Sequence, residues 1–310
     1  MAADLMNEPF VEPRVSILIL SYNQQDYIRE AIDSALAQDY DNFEIIVADD
    51  ASTDATPDII RSYASSYPDR VVPVLNRINQ GITANSNSGL KKVSGRYFTH
   101  LGGDDTIEPG KLRTQVRRME TYPDLVLCAH QVEVFYEDED KRPHLLQGLL
   151  TTGEGPDQLL RHGGLGALSV MVRTASIPAH GFEPSLRMIS DYMLWAEILA
   201  GGGKFVVLPE MLGRYRQHSS NVTRDPTKYV NDVHDYYTLF ERRYPQYAKS
   251  CRYGLTRHAL YDPGVALLGL GRFQEAMPYF RRAVRQDPVF VKAWVRMAQC
   301  QAGVVSKGRG

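Results

Sequence analysis

The first half of the chain alternates between short apolar runs and amphipathic segments, and this alternation limits the possible folds more than any other feature. The runs VSILIL, FEIIVAD, VVPVLN and YFTHL predict strands, and the segments that follow them predict helices at 27–38, 56–67, 83–93 and 111–121. Asp26 is the predicted N-cap of the first helix, and Pro57 is the predicted first residue of the second. Apolar strands joined by crossover helices are typical of a doubly wound α/β sheet.

Polar residues follow each predicted strand, at the place where sheets of this kind bind their ligands. They are Ser21, Tyr22 and Asn23 after the first strand, Asp49 and Asp50 after the second, 76–79 after the third, and 102–105, with Asp104 and Asp105, after the fourth. Two acidic pairs therefore meet at one sheet edge, where their repulsion is costly without a cation or a donor-rich ligand. A turn explains each pair alone. Their shared edge favours a binding site, and divalent cations prefer carboxylate oxygens.

Several nucleotide-binding and hydrolytic motifs are absent from the sequence. The turn after the first strand, SYNQQD, contains no glycine, which excludes the G-x-G-x-x-G dinucleotide fingerprint. Gly110-Lys111 is followed by leucine and lacks the upstream glycine of a P-loop. HGGLG at 162–166 resembles an oxyanion loop of hydrolases, but no G-x-S-x-G elbow accompanies it. A phosphate group is therefore expected to be held through a metal rather than in a glycine nest.

The composition is that of an ordinary soluble globular protein, with 310 residues and a formal net charge of −2. This balance gives no indication of nucleic-acid binding. The three cysteines, Cys128, Cys251 and Cys300, are few and scattered, so a disulfide framework is not expected and a reducing cytoplasm fits. The N-terminal residues lack the apolar region of a signal peptide, and no apolar run reaches spanning length. We expect a cytoplasmic protein, with peripheral contact at the inner face of the membrane left open.

The segment 15–56 resembles the opening of the family 2 glycosyltransferases, which are inverting enzymes with the GT-A fold. Their usual pattern is a strand, then [ST]-Y-N, a helix, and a strand that ends in D-D-G-S-T-D. The resemblance continues through NQGITANSNSGLKKVSGRYFTHLGGDD, the SDYMLW helix start and YRQHSS, and it covers 15–223. It implies a mixed Rossmann-like sheet flanked by helices. It also implies a nucleotide-diphosphate sugar as donor, most often a UDP-sugar.

The resemblance also implies which residues bind the donor. Asp49 matches the aspartate that contacts the base, with Asp50 close to the ribose or pyrophosphate. The other implied donor-binding residues are Ser21, Tyr22 and Asn23 in the base pocket, Asn79 and Gly81 in the N-x-G turn, Asn87 opening the helix before the fourth strand, and Gly103 and Asp104 around the phosphates. Arg216 is a further candidate on chemical grounds, since a guanidinium group either clamps a phosphate or pairs with a surface acid.

A metal and a base are implied by the same resemblance. Asp104 aligns with the aspartate of the D-x-D element that ligates Mn²⁺ or Mg²⁺, His218 resembles the histidine that reaches the metal or diphosphate, and Asp105 is a secondary ligand candidate. Asp191 matches the general base. Inverting transfer needs a base on the acceptor hydroxyl and something to neutralise the departing diphosphate. We expect the helix N-terminus and the metal to keep Asp191 ionised near neutral pH.

The sequence departs from the family pattern at three positions. Gly102 stands where members carry the first aspartate of D-x-D-D, Ala51 stands where they carry glycine, and Ser86 stands where arginine is common. The site would then hold its metal with fewer protein oxygens. Two alternatives stay open: a sugar-phosphate nucleotidyltransferase, although SYNQQD lacks its glycine-rich loop, and a transferase-like scaffold with weakened catalysis.

The C-terminal segment has a purely helical pattern. GLGRFQEAMPYFRRAVRQDP and VKAWVRMAQ match about one and a half tetratricopeptide repeats (TPR). Such units need neighbours, so we expect them to pack on the first domain, bind a protein or self-associate, and to take no part in bond-making. The predicted divisions are an N-terminal extension (1–14), the GT-A domain (15–225), a helical connector (226–256), the TPR-like segment (257–303) and a disordered tail (304–310).

The expected reaction is transfer of a sugar to a hydroxyl group. The acceptor would be a glycan, a lipid-linked molecule or a protein, in the assembly of bacterial surface polysaccharide or glycoconjugates. The sequence does not name the sugar or the linkage, because these depend on the loops between 136 and 187.

Overall fold

A computed structural model describes residues 12–137, 142–146, 150–218, 221 and 229–307, with side chains up to 303. The strands are β1 (Val15–Ser21), β2 (Phe43–Asp49), β3 (Val71–Leu75), β4 (Tyr97–Gly102), β5 (Thr106–Ile107), β6 (Leu125–Tyr136), β7 (His144–Leu145), β8 (Thr152–Glu154), β9 (Met171–Arg173) and β10 (Lys204–Gln217). The helices of the sheet domain are α1 (Ile28–Leu36), α2 (Thr56–Ser66), α3 (Ile82–Leu90), α4 (Lys111–Thr121), α5 (Asp157–His162) and α6 (Ser190–Ala200). The predicted helices at 27–38, 56–67, 83–93 and 111–121 are therefore present, with ends that shift by up to three residues.

One mixed sheet runs through the domain in the order β3-β2-β1-β4-β9-β6-β10-β5. The pairs β1–β2, β1–β4 and β2–β3 are parallel, as the alternating pattern predicts. Beyond β4 the sheet changes character, because β9 pairs antiparallel with both β4 and β6. The register places Ser21 beside Asp49, and Leu20 beside Gly102. The ends of β1, β2 and β4 therefore lie at one edge.

Two apolar layers cover the faces of this sheet. On one face, Ile17 and Ile19 of β1 pack against α1, whose residues Ile28, Ala31, Ile32 and Ala35 are buried. On the other face, Leu18 and Phe98 pack against α6. Trp195 of α6 is fully buried in this second layer and is therefore a core residue.

The start of α1 differs from the prediction. Tyr27, not Asp26, occupies the N-cap position, and its side chain makes no capping hydrogen bond. The backbone carbonyl of Gln24 accepts hydrogen bonds from the N–H groups of Tyr27 and Ile28, at 3.0 and 2.9 Å. A backbone turn therefore satisfies the first helical donors, and no aspartate cap is needed.

The C-terminal part of the chain is helical, as predicted. Its elements are α7 (Val230–Arg243), α8 (Ala248–Gly254), a π-helix (Leu255–Tyr261), α9 (Asp262–Gly269), α10 (Phe273–Gln286) and α11 (Val291–Lys307). α7 and α8 share an apolar cluster with α6 that includes Met193, Tyr236, Tyr237 and Phe240. α11 continues through Lys307, past the position where the sequence placed the start of a tail, and 308–310 lie outside the described residues.

No helix in the described part of the chain is long and apolar enough to cross a membrane.

Candidate functional site

Asp49 lies at the sheet edge in a set of fixed hydrogen bonds. The hydroxyl of Ser21, its neighbour in the parallel register, donates to Asp49 Oδ1 at 3.0 Å. The N–H and the hydroxyl of Ser52 donate to Oδ2 and Oδ1 at 2.9 and 2.5 Å. A carboxylate accepts about four hydrogen bonds, so Asp49 keeps capacity for roughly one further donor. The carboxylate is buried and held in one orientation before any ligand arrives.

Asp50 is directed towards β3, the other neighbour of β2, and holds the loop 76–81. It accepts hydrogen bonds from the Asn76 amide at 3.2 Å, from the Gln80 N–H at 3.0 and 3.1 Å, and from the Gly81 N–H at 2.7 Å. These contacts occupy both carboxylate oxygens. Asp50 therefore anchors the N-x-G turn, in which Asn79 is exposed and Gly81 has a φ of 88°.

Tyr22 and Asn23 lie on the turn above Asp49. The Asn23 Oδ1 atom accepts a hydrogen bond from the Thr53 N–H at 2.8 Å, and the Asn23 N–H donates to the Ser52 hydroxyl at 2.8 Å. Tyr22 is 48% exposed, so its ring is free to meet a ligand. Asn23 and Ala51 both have left-handed backbones, with φ values of 51° and 61°. This explains why the family carries glycine at the position of Ala51.

The predicted metal ligands Asp104 and His218 meet beyond the end of β4. His218 Nε2 lies 2.9 Å from Asp104 Oδ2, although the two residues are 114 positions apart. The amide of Asn221 lies 3.5 Å from the same oxygen. A carboxylate oxygen and an imidazole nitrogen together suit Mn²⁺. The described residues contain no group of three or more His, Cys, Asp or Glu side chains placed to hold a metal, so diphosphate and water would have to complete the coordination.

Asp105 makes a separate hydrogen bond to β10. Its Oδ1 accepts a hydrogen bond from the backbone N–H of Arg216 at 3.0 Å, and burial together with the Asp104 charge raises the pKa of its carboxyl well above the usual range. Asp105 therefore secures β10 to the turn after β4. Its geometry supports this structural role more strongly than a ligand role.

Gly102 and Gly103 have little room for side chains. A Cβ atom on Gly102 would lie 2.8 Å from Asp104 Oδ1 and 2.9 Å from Asp105 Oδ2. A Cβ atom on Gly103 would lie 2.8 Å from the carbonyl oxygen of Leu20. A residue larger than glycine at 102 would therefore require the carboxylates of Asp104 and Asp105 to shift.

Arg216 connects β10 to α1. Its Nε donates to the Asp104 carbonyl at 2.9 Å, its guanidinium pairs with Glu30, and it lies over the rings of Tyr27 and Phe135 at 5.2 and 4.7 Å from their centroids. The Tyr27 ring also stacks on His218, with centroids 4.8 Å apart. Tyr27 and Glu30 were missed from the sequence, because nothing in a helical pattern shows which distant strand end the helix will face.

Asn87 is paired with the backbone of a loop. Its amide donates to the Phe182 carbonyl at 2.8 Å and its Oδ1 accepts from the Phe182 N–H at 2.9 Å. It lies well inside α3 rather than at the helix start. The nearby Ser86 is buried and bonds back to the carbonyl of Ile82, so no cation replaces the arginine common at this position.

Asp191 lies in the first turn of α6. Burial raises the pKa of its carboxyl to about 7, although the N–H groups of Asp191 and Tyr192 act in the opposite direction. The helix N-terminus therefore acts in the expected direction, but burial has the larger effect on the pKa of Asp191. A carboxylate with a pKa near 7 suits proton abstraction at neutral pH.

A family model described as "Glycosyl transferase family 2" matches residues 16–177, just over half of the chain. The chain belongs to glycosyl transferase family 2. This membership confirms the predicted family and its transferase class. Asp49, Asp50, Asp104 and Asp105 all lie inside the matched region, whereas Asp191 and His218 lie beyond it.

Two relatives illustrate the similarity of this family 2 protein to bacterial sequences. An uncharacterized protein of Mycobacterium tuberculosis (strain ATCC 25618 / H37Rv) is 37% identical over 210 residues, which are 67% of this chain and 60% of that protein. An uncharacterized glycosyltransferase of Rickettsia prowazekii (strain Madrid E) is 30% identical over 278 residues, covering 84% of this chain and 82% of that protein. The chain thus spans only about three fifths of the mycobacterial relative's length.

Solved structures show the same fold at low identity. S. aureus TarS 1-349, in complex with UDP-GlcNAc, matches with a TM-score of 0.67 and 16% identity, over 94% of this chain and 88% of that chain. The mannosyltransferase PcManGT from Pyrobaculum calidifontis, in complex with GDP-Man and Mn²⁺, matches with a TM-score of 0.58 and 17% identity, over 94% of this chain and 88% of that one. The predicted GT-A mixed sheet followed by helices is confirmed.

Proposed function

We propose that this family 2 protein is a metal-dependent, inverting glycosyltransferase that moves a sugar from a UDP-sugar to a hydroxyl group. The observation that carries the proposal is the contact between Asp104 and His218, 2.9 Å apart at the same sheet edge as Asp49. A metal at this pair would lie where the diphosphate of a nucleotide bound at Asp49 passes. The Asp104–His218 contact and the position of Asp49 at the same edge together support one donor site rather than two unrelated turns.

The base of the donor binds at Asp49 in this account. Uracil presents an N–H group between two carbonyl oxygens, and Asp49 has an acceptor position left after its bonds to Ser21 and Ser52. The exposed ring of Tyr22 offers a stacking surface next to it. TarS binds UDP-GlcNAc and PcManGT binds GDP-Man, so nucleotide sugars are ligands of proteins with this fold.

Asp104 and His218 would hold the cation, whose chemistry would be to neutralise the charge that develops on the departing diphosphate. Tyr27 keeps the His218 ring in place by stacking, and Arg216 fixes the backbone of Asp104. The Mn²⁺ in PcManGT supports this choice of metal. Asp105 is the less suitable ligand because Arg216 already occupies one of its oxygens.

Asp191 accepts the proton of the acceptor hydroxyl as that oxygen attacks the anomeric carbon. One bond forms between the acceptor oxygen and the sugar, one bond to the diphosphate breaks, and the configuration at carbon inverts. The acceptor is a glycan, a lipid-linked molecule or a protein in surface polysaccharide or glycoconjugate assembly. This reaction would take place in the cytoplasm or at the inner face of the membrane.

A screen of nucleotide-sugar hydrolysis, run with manganese and with a chelator, tests the proposal. We expect slow hydrolysis of at least one UDP-sugar with manganese and none with chelator. The Asp104→Asn variant, which keeps the shape of the side chain but removes its charge, should lose the metal-dependent rate. If neither hydrolysis nor UDP binding is detected under any condition, the alternative of a transferase-like scaffold with helices for protein binding replaces the proposal.

A further inference from the structure

We infer that the C-terminal helices position Asp191 through the glycine loop, defined here as residues 163–166. The helices would then contribute to transfer, and not only to packing or docking as the sequence suggests. The inference rests on the proposed role of Asp191 as the base. It assigns Gly164 and His258 as positioning residues, because each would act on Asp191 through other residues.

The C-terminal helices cap the helix that leads into the glycine loop. The hydroxyl of Tyr237 donates to the Leu160 carbonyl at 3.0 Å, and His258 Nε2 lies 3.1 Å from the Arg161 carbonyl. These two carbonyls belong to the last turn of α5, where backbone acceptors have no partner within the helix. At the other end of α5, the hydroxyl of Ser250 donates to Asp157 at 2.5 Å.

His258 is itself fixed from two sides. Its Nδ1 lies 2.8 Å from an Asp262 carboxylate oxygen, and its ring is stacked with Tyr237 at 6.4 Å between centroids. It lies in the π-helix, a rare geometry often found at functional sites. A Cβ atom on Gly163 would lie 3.8 Å from the His258 ring, so the ring lies beside the start of the glycine loop.

The opposite side of the glycine loop contacts the base-bearing helix. A Cβ atom on Gly164 would lie 2.5 Å from Cδ1 and Cε1 of the Tyr192 ring and 2.6 Å from its Cγ. The face of that ring therefore rests directly on the Gly164 backbone. Tyr192 follows Asp191 in the first turn of α6, so any movement of its ring is passed to the residue that carries the proposed base.

A second set of bonds from α7 holds the same helix. The carboxylate of Asp232 accepts a hydrogen bond from the Met188 N–H at 2.6 Å, just before α6 begins. Arg243 pairs with Glu183 at 2.5 Å and with Glu197 at 2.8 Å, and both carboxylates are buried. The C-terminal helices thus hold the approach to α6, its first turn and its last turns. Small displacements of a reacting group lower the rate about 10²-fold, so the contacts that hold α6 in place are relevant to catalysis.

Gly164→Ala is the direct test, with Gly166→Ala as its matched control. Gly166 lies in the same loop, but among the described residues an added Cβ would meet only Leu146 Cδ2, at an ordinary 3.4 Å. We expect Gly164→Ala to lower kcat for UDP-sugar hydrolysis about 10- to 100-fold, with KM and UDP affinity unchanged. Gly166→Ala should behave as wild type. An unchanged kcat in folded Gly164→Ala would overturn the inference.

Hydrogen exchange gives a second readout that needs no substrate. In Gly164→Ala and His258→Ala, amides of the first turn of α6 should exchange faster, while amides of β1 and β4 should keep wild-type rates. His258→Gln, which can still donate to the Arg161 carbonyl, should restore slow exchange. Faster exchange in both regions would indicate general destabilisation and contradict the inference, as would slow exchange in all variants.

The outcome for Asp191→Asn separates this inference from the proposed function. If Asp191→Asn hydrolyses the donor at the wild-type rate, the base assignment fails and the coupling of these helices to catalysis fails with it. If Asp191→Asn is inactive but the Gly164 and His258 variants match wild type in rate and exchange, only the inference fails.

Discussion

At the ends of β1, β2 and β4, the candidate donor site is made of residues that are neighbours in the sheet register, whereas α6 is held by side chains from α7 and the π-helix. Ser21 meets Asp49 because parallel pairing aligns their strands. Met188, at the approach to α6, meets Asp232 only because a helix 44 residues later packs beside it. In the first region the Asp49 contacts follow from strand pairing, although Asp104 also meets His218 from far along the chain. The second region depends on helices that come later in the chain.

The two regions also treat their carboxylates differently. Asp49 and Asp50 accept three and four hydrogen bonds, all from groups within the first 81 residues. Burial raises the pKa of Asp191 to about 7, and the groups that lower this pKa are backbone N–H groups. A carboxylate that is fixed by hydrogen bonds and keeps one free acceptor position, as Asp49 does, is suited to hold a ligand in place. A carboxylate with a pKa near 7 is suited to exchange a proton.

The largest expected effect comes from Asp191→Asn. The amide keeps the shape of the side chain but cannot accept the proton, so transfer or donor hydrolysis should fall about a hundredfold or more. UDP affinity, measured by calorimetry, should stay at the wild-type value because the donor edge is untouched. Loss of UDP binding in this variant would show that the two regions are not separable. A wild-type rate would show that the base lies elsewhere.

The pH dependence of the rate and of UDP affinity also distinguishes the two regions. Below the raised pKa of about 7, Asp191 is protonated in the folded protein and cannot act as a base. The rate should therefore fall about tenfold for each pH unit below 7, while UDP affinity should show no step at that pH. A bound metal that stabilises the carboxylate would move the acidic fall in rate to lower pH. A flat rate profile between pH 5 and 8 would contradict the assignment.

The contribution of Asp191 to folding stability should have the opposite pH dependence to its contribution to the rate. The folded-state pKa of Asp191 lies above its usual 3.8, so protonation favours the folded protein. This contribution is fully present below pH 4 and is lost as the pH rises through about 7. Comparing the melting temperature of wild type and Asp191→Asn across this range isolates the contribution from that of other carboxylates.

The smallest expected effect is at Ala51 on the donor edge. Its φ of 61° costs a residue with a Cβ about 1–2 kcal/mol, while glycine costs about 0.4–1 kcal/mol through the unfolded chain. Ala51→Gly should therefore raise the free energy of unfolding by up to about 1 kcal/mol. Ala37→Gly is the control, since Ala37 has a φ of −79° and should lose stability. Denaturant unfolding of both variants measures the difference.

The sequence predicted the first region well for a physical reason. Buried parallel strands have continuous apolar runs, and the polar residues after them must share an edge, so Asp49 and Asp104 could be placed at one edge from pattern alone. Their roles as donor and metal ligands came from the family resemblance. It did not predict that Asp50 would be used up by the turn at Gly81, because backbone donors leave no signal in a sequence. The raised pKa of Asp191 was missed for a related reason, since burial is a property of the folded chain.

Contacts between distant segments were the least predictable. Tyr27 stacking on His218, and Tyr192 resting on Gly164, join residues whose separation along the chain has no periodic pattern. The HGGLG stretch stands out in the sequence for its glycines. What these glycines pack against is shown only by the folded structure, in which the C-terminal helices lie beside them. Asn87 likewise carries a family role in the sequence and a loop-holding role in the structure.

Calorimetry of UDP binding, with manganese and with a chelator, tests the central claim most directly. The account predicts that wild-type protein binds UDP about tenfold or more tightly with manganese, because Asp104 and His218 hold the cation against the diphosphate. Asp104→Ala should reduce both affinities to the same metal-free value, and Asp49→Ala should weaken UDP under both conditions. Equal affinity of the wild-type protein with manganese and with chelator would contradict the claim that this edge is a metal-dependent nucleotide site.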